Sequence, residues 1–494
     1  MLWYGFIFYF FLFFFIFFYF IYLYKIFNAN LIIKFNVYLF LSNIVLSFFV
    51  FIFIFNLFLI YFLFEIFSNN IYLNFFKIPF FCIYDNFYNN FLFNTINFNI
   101  NILSIYYFPF IYIFLLITIL SIIFCLSYNI NELITFMFFC AIIIISGSIL
   151  FFTNSIIIFF LAYEMLLIPS FFILYKFAKT RRCIEAAYLM FFWTQFGALF
   201  LIFSFLYLFF ITGSSSFLII NNFNFSEFEI NFLFICWIIG FGVKLPIWPF
   251  YGWLPKAHVE ASTNFSIFLS GVLVKFAFFG LLKCLITLQT EPTYIFVYPF
   301  LVIGIVDAIF KLFYQIDLKK LVAYSTVIEM HWLTICIISG QSCLMLANFC
   351  MLISHALLST NSFLLVDAIN RRFKTRLITE ISGINFLCPK LFLISLLNCL
   401  IFLGFPGSIF FIAEFLFFSF FFDLFPILAI FLIILLYLLS PTFFFRSWIN
   451  VLFGLSNNIN QKIPSDLNSK ELILYFGITI LMFWLGFSWQ SFLF

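Results

Sequence analysis

From Leu2 to Phe494 the chain is a succession of apolar stretches, interrupted by short polar breaks. Each stretch is about the 20 residues a helix needs to cross the hydrocarbon core of a bilayer. In that solvent every backbone N–H and C=O has to be satisfied internally, which leaves closed barrels or helices, and stretches of this length are helical. The 494 residues are 67% hydrophobic and only 8% charged, where soluble globular chains carry about 25% charge. A soluble fold is excluded, and the sequence predicts an all-α polytopic membrane protein.

Apolar runs and polar breaks give about fourteen spans. They lie near 2–24, 37–64, 103–127, 133–152, 155–175, 186–211, 231–253, 263–288, 294–314, 318–339, 342–366, 389–420, 424–445 and 471–492. The Asn-rich stretch from Ser68 to Asn101 and the polar stretch from Ser456 to Lys470 are expected as surface loops. No basic segment precedes a short apolar core with a small-residue cleavage site, so residues 2–24 are read as a retained span. Lys and Arg test the count, because they collect in alternate loops of a membrane protein. Of the 22, 18 fall in loops after odd-numbered spans, Lys77 and Lys283 fall on the other side, and Lys244 and Lys275 lie inside spans. This asymmetry puts both termini on the positive-poor side.

The 95 Phe and 25 Tyr, with many Ile and Asn, share a preference for AT-rich codons, and most of the Phe are read as lipid-facing filler. The 11 Cys are scattered, without a C-x-x-C pair or a cluster with His at ligand spacing, so no metal or disulfide is expected. No dinucleotide or P-loop fingerprint is present, so this chain is expected to bind no cofactor.

The informative residues are charges inside spans, where each costs about 2.5–3.5 kcal/mol on insertion scales. They are Glu164 in the fifth span, Lys244 in the seventh, Lys275 in the eighth, Glu329 and His331 in the tenth, His355 in the eleventh and Glu414 in the twelfth. A single acid–base pair would serve as helix glue, whereas six spans carrying acid, base and imidazole point to a path for protons or cations. Asp307, Lys283 and Glu65 sit nearer span ends, where snorkelling to the interface suffices. Two spans also contain helix breakers: Pro246 and Pro249 follow Lys244, and Gly404-Phe405-Pro406-Gly407 precedes Glu414. Proline removes a backbone donor, which membrane depth tolerates only against protein or a wet cavity. If spans 4–8 and 9–13 form two five-helix repeats, the broken helix is the fourth member of each, a pattern that marks a site near the midplane. The corresponding segments are residues 1–130, 131–290, 291–446 and 447–494.

Several motifs resemble those of the antiporter-like membrane subunits of mitochondrial NADH:ubiquinone oxidoreductase, complex I. The most specific is Val243-Lys244-Leu245-Pro246 followed by Trp253-Leu254-Pro255-Lys256-Ala257-His258-Val259-Glu260-Ala261. Tyr163-Glu164 with Ile168-Pro169, Asp317-Leu318-Lys319 with Ala323-Tyr324-Ser325-Thr326-Val327, and Ser354-His355-Ala356-Leu357 support it. The resemblance covers about residues 155–415. A Glu at position 414, where sister subunits 2 and 5 usually carry Lys, is similar to the subunit 4 branch, as is a chain stopping after its fourteenth span.

The resemblance implies a proton-translocating subunit of the mitochondrial inner membrane, inverted five-helix repeats, and termini on the intermembrane-space side. NADH, FMN, iron–sulfur clusters and ubiquinone are then expected in other subunits. Subunits 2 and 5 are the expected neighbours, cardiolipin an expected lipid contact, and nucleic acid is not expected as a partner. It also implies a proton path of Glu164, Lys244, Lys275, His355 and Glu414, with His258, Glu329 and His331 as additional relay candidates. Tyr251 and Glu329 stand where the family usually has His, and Ser262 where it commonly has Pro. His331 is about 200° round the helix from position 329, so it does not simply replace the missing imidazole. A sodium/proton antiporter subunit of the Mrp type and an inert membrane scaffold are the alternative readings.

Overall fold

The structure is a computed structural model and describes residues 130–177, 180–288, 295–340, 342–454 and 465–488. The first three expected spans, the Asn-rich stretch, Glu65 and Lys77 lie outside these residues. Among the described residues the regular structure is helical, apart from two isolated antiparallel bridges, Ser155 with Ser216 and Asp317 with Leu377.

In chain order the helices begin with α1 (Ile130–Phe152), α2 (Ile156–Met165), α3 (Leu167–Lys176) and α4 (Arg181–Thr212). The next are α5 (Glu227–Lys244), α6 (Trp253–Glu260), α7 (Thr263–Phe268) and α8 (Val274–Leu288), with a π-helical segment Leu269–Leu273 joining α7 to α8. Then come α9 (Tyr298–Phe313), α10 (Leu318–Ile338) and α11 (Ser342–Phe373). The last are α12 (Pro389–Phe402), α13 (Ile409–Leu424), α14 (Pro426–Leu432), α15 (Ser440–Leu452) and α16 (Ser469–Phe487), with a second π segment, Ile433–Leu439, between α14 and α15.

Polar side chains start these helices where the orphan N–H groups need acceptors. Ser155, Thr180, Asp317 and Ser408 accept from the first turns of α2, α4, α10 and α13, and Ser226 with Glu229 forms a capping box on α5. Among the described residues six continuous helical segments are long and apolar enough to cross a membrane: 156–176, 181–212, 263–288, 318–338, 344–373 and 426–452. The stretches expected near 231–253 and 389–420 are each divided into two shorter helices by their Pro and Gly residues, Lys244–Trp253 and Phe402–Ile409 being the gaps.

Burial sorts the helices into inner and outer. The apolar windows of 263–288 and 344–373 are 94% and 100% buried, against 39% for 181–212. Lys275 and His355 lie on the inner helices, and the outer ones present Phe, Leu and Ile outward, as at Phe192, Leu199, Phe203 and Phe210 of α4. Arg371 and Arg372 at the end of α11 reach Glu471 of α16 at 3.2 and 2.5 Å, which ties α16 to the bundle.

Two expectations change here. Lys283 does not snorkel outward: it is buried, donates to the Thr153 carbonyl at the end of α1 (2.5 Å), and lies within 6 Å of the rings of Phe159, Phe217 and Phe279. The orphan carbonyls at a helix C-terminus and three ring faces give the ammonium a partner inside the fold. Lys319, counted as a loop charge, is likewise buried and donates to Ala261 at the end of α6 (2.5 Å), beside Arg376, which donates to Val259 (3.0 Å).

The approach of α4 to α5 depends on absent side chains. A Cβ on Gly197 would lie 2.7 Å from the Gly240 carbonyl oxygen, so the two backbones pass in direct contact. Gly197→Ala is expected to destabilise the chain by about 1–3 kcal/mol through overpacking, whereas Gly477→Ala on α16, where nothing lies within 4 Å, is expected to be tolerated. The yield of assembled membrane complex on native gels distinguishes the two.

Candidate functional site

The break between α5 and α6 places Lys244 at the last turn of a helix inside the bundle. Its backbone accounting closes with help from neighbours. Leu245 N–H bonds Phe241 (2.8 Å) and Ile247 N–H bonds Gly242 (2.8 Å), while Pro246 and Pro249 have no N–H to satisfy. Trp248 N–H donates to His331 Nε2 of α10 (2.8 Å), and the freed Val243 carbonyl accepts from Trp253 Nε1 (2.8 Å). His331 Nδ1 in turn donates to the Val327 carbonyl (2.8 Å), so both ring nitrogens are held by backbone. This fixes a neutral imidazole with its proton on Nδ1.

Lys244 faces α2. Its Nζ is 3.8 Å from Glu164 Oε1, donates to the Tyr163 carbonyl (3.1 Å) and sits 3.4 Å from the centre of the Tyr163 ring. At 3.8 Å and an effective dielectric near 20, two opposite unit charges attract by about 4 kcal/mol. Gln195 of α4 donates to Glu164 Oε2 (3.0 Å) and thereby orients the carboxylate. Sequence reasoning missed Gln195: an amide inside a long apolar helix was the available signal.

Beside Lys244 lies a mostly apolar cavity of about 30 Å³, whose lining includes Tyr163, Ser170, Thr194, Lys244, Leu269 and Val274. A water needs about 10–15 Å³ on this measure, so the cavity is large enough to admit one, and its lining joins Lys244 to the π segment. That segment breaks the regular ladder just ahead of Lys275, whose Nζ donates to the Ser270 carbonyl and hydrogen-bonds His355 Nδ1 of α11. His355 Nε2 is 3.8 Å from Glu329 Oε2 of α10. Lys275, His355 and Glu329 thus form one buried chain across three helices.

Glu414, on the first turns of α13, is buried and within electrostatic range of Glu329. Its carboxylate lies over Gly404, where a Cβ would come within 2.6 Å of Oε2. Gly404 also has φ +74°, the left-handed region that glycine enters without strain. Pro406 and Gly407 complete that break. His258 of α6 is buried, stacked on Phe363 at 4.8 Å, and within electrostatic range of Lys275, His355 and Lys319. Neither of its ring nitrogens has a hydrogen-bond partner among the described residues. The structure therefore brings together Glu164 with Lys244, and Lys275 with His355 and Glu329, sets Glu414 and His258 nearby, and commits His331 to the break. Among the described residues no cluster of His, Cys, Asp or Glu has the arrangement to hold a metal ion.

Residues 153–440 match the family model described as NADH:quinone oxidoreductase/Mrp antiporter, TM. NADH-ubiquinone oxidoreductase chain 4 of Paramecium tetraurelia is 35% identical over 323 residues, covering 65% of this chain and 68% of that protein. Chain 4 of Marchantia polymorpha is 33% identical over 371 residues, 74% of each. The chain belongs to the NADH-ubiquinone oxidoreductase chain 4 family.

Solved structures share the fold at lower identity. A chain of the Mrp complex from Dietzia sp. DQ12-45-1b gives a TM-score of 0.68 at 14% identity, over 78% of this chain and 82% of that one. A chain of respiratory complex I from Thermus thermophilus with bound NADH gives 0.63 at 20% identity, over 73% and 80%. Every site residue from Glu164 to Glu414 lies within the segment that matches the family model. For this chain 4 family member, Gln195→Leu removes the amide donor to Glu164 while keeping its bulk. Interhelical hydrogen bonds in membranes average about 0.6 kcal/mol, so proton pumping per NADH oxidised is expected to fall modestly, with full assembly. Proton uptake by vesicles containing the purified complex measures it.

Proposed function

We propose that this chain is a proton-translocating subunit of the membrane arm of respiratory complex I, and that Lys244, held by Glu164, is its switch. The chain 4 relatives support membership of an NADH:ubiquinone oxidoreductase and a multi-pass place in the mitochondrial inner membrane. NADH, flavin, iron–sulfur and quinone chemistry then belongs to other subunits. The observation that carries the site assignment is the interior ion pair of Lys244 with Glu164 at 3.8 Å, next to a cavity also lined by Leu273 and Val274, the residues just before Lys275.

When Glu164 approaches, the Lys244 ammonium is stabilised; when it withdraws, the ammonium gives its proton to water in the cavity. Lys275 and His355 receive it as the central relay. Glu329 joins His355 towards Glu414, which passes the proton out at the second break. His258 supplies a side branch at the end of α6.

Fourteen spans, both termini on the intermembrane-space side and two inverted five-helix repeats (spans 4–8 and 9–13) complete this reading. Two features support the repeats: the fourth member of each is broken, at 245–252 and 403–408, and the fifth member of each carries a π segment, at 269–273 and 433–439. Antiporter-like subunits 2 and 5 are its proposed neighbours, with cardiolipin at the lipid boundary. The Mrp-type antiporter shares the fold, whereas the identity to chain 4 relatives favours complex I.

Lys244→Ala in the assembled complex is expected to abolish the protons moved through this subunit, read as a lower ratio of protons pumped per NADH oxidised. Glu164→Gln is expected to act in the same direction. An unchanged ratio in Lys244→Ala, or a loss of assembly with no change in the ratio, would return the chain to the scaffold reading.

A further inference from the structure

The break that carries Lys244 is held from outside its own half of the molecule. Tyr251, in the single 3-10 turn Phe250–Gly252, donates its hydroxyl proton to Asp307 Oδ2 of α9. Lys311, one turn on, donates to the same hydroxyl oxygen (2.5 Å) and to Asp307 Oδ2 (2.8 Å), with Nζ 4.8 Å from the centre of the Tyr251 ring. The phenol thus closes a triangle with a carboxylate and an ammonium, each of which satisfies the other's charge. Tyr251 is buried, whereas the side chains of Asp307 and Lys311 are 32% and 46% exposed.

A second anchor lies beside the first. Trp248 N–H is held by His331 of α10, and Gly304 of α9 makes room for it: a Cβ there would lie 2.2 Å from His331 Nε2 and 2.7 Å from Trp248 Cβ. Gly304, Asp307 and Lys311 recur at helical spacing, so one face of α9 is shaped to the break. The groups facing Asp307 are Lys311 on its own helix, Tyr251 in the turn, and Tyr324 and His331 on α10.

Lys244 ends the helix that runs directly into this anchored segment, while its partner Glu164 sits on α2. The distance between them is therefore set by where α9 and α10 hold the turn. We propose that Asp307 and Lys311 are positioning residues for Lys244, acting through the Tyr251 hydroxyl, so that displacement of α9 changes the Lys244–Glu164 separation. The inference rests on the pumping role assigned to Lys244 and adds the element that sets it. It corrects the sequence expectation that Asp307 merely snorkels at a span end, and it gives the Tyr found in place of the family's His a partner set.

The test uses the assembled complex in sealed vesicles, with protons pumped per NADH oxidised recorded across a pH series for Lys244→Ala, Tyr251→Phe, Asp307→Asn and Asp307→Glu. Hydrogen bonds to charged groups are the strong class, so Tyr251→Phe and Asp307→Asn are each expected to lose roughly half or more of the pumping that Lys244→Ala loses. Each should also move the pH midpoint of the ratio, with Asp307→Glu restoring both. If Lys244→Ala lowers the ratio while Tyr251→Phe and Asp307→Asn leave ratio and midpoint unchanged, the positioning role is wrong. It is equally wrong if these variants only reduce the amount of assembled complex, the ratio per complex staying the same. An unchanged ratio in Lys244→Ala removes the pumping assignment itself, and this inference with it.

Discussion

A helix interrupted inside a membrane protein leaves peptide groups that cannot turn to solvent, and that constraint organises the interior of this bundle. The break after Lys244 exists only because His331 accepts from Trp248, Trp253 donates to Val243 and two prolines remove donors that would otherwise be stranded. The break before Glu414 meets the same constraint with Gly404, whose positive φ turns the chain while its missing side chain leaves room for a carboxylate. Irregular backbone and ionisable side chains occur together because each supplies what the other lacks: free carbonyls for ammonium groups, and side-chain acceptors for free N–H groups.

The π segment makes the same point on a smaller scale. A regular helix through 269–273 would keep its carbonyls within the ladder, whereas here the Ser270 carbonyl accepts from Lys275. Lys275 is thereby held against His355, and His355 against Glu329, so that three helices share one polar chain in an apolar interior. Such a chain is costly to bury unless its members satisfy one another. Among the described residues His355 Nε2 and Glu329 Oε2 of this chain have no hydrogen-bond partner, and atoms outside it, such as Trp332 Nε1 and Trp448 Nε1, share that condition.

Much of this was legible in the sequence because the bilayer makes charges rare. Lys244, Lys275, His355 and Glu414 stand out against runs of Phe, Leu and Ile, and Pro246 and Pro406 mark the breaks directly. Residues near span ends were misread, because position along a helix does not reveal what packs beside it. Lys283 and Lys319 look like surface charges by spacing, yet each finds the carbonyl end of another helix. Gln195 is silent in the sequence and Asp307 reads only as a span-end charge for the same reason, since their partners Glu164 and Tyr251 are remote in sequence. His331 was visible as an intramembrane imidazole, but only the fold shows that it serves backbone on both nitrogens.

The phenylalanines carry a consequence of their own. Lys283 lies among Phe159, Phe217 and Phe279, and Lys244 lies over the Tyr163 ring. A ring face attracts a cation by about 0.5–2 kcal/mol, depending on how dry the site is, and an aliphatic side chain of similar bulk does not. A codon bias that exchanges Leu for Phe is nearly invisible on the lipid-facing surface, but inside the bundle it changes the medium in which protons are held. At these few interior positions the choice of an aromatic over an aliphatic side chain is thus a tuning variable of the protein's electrostatics.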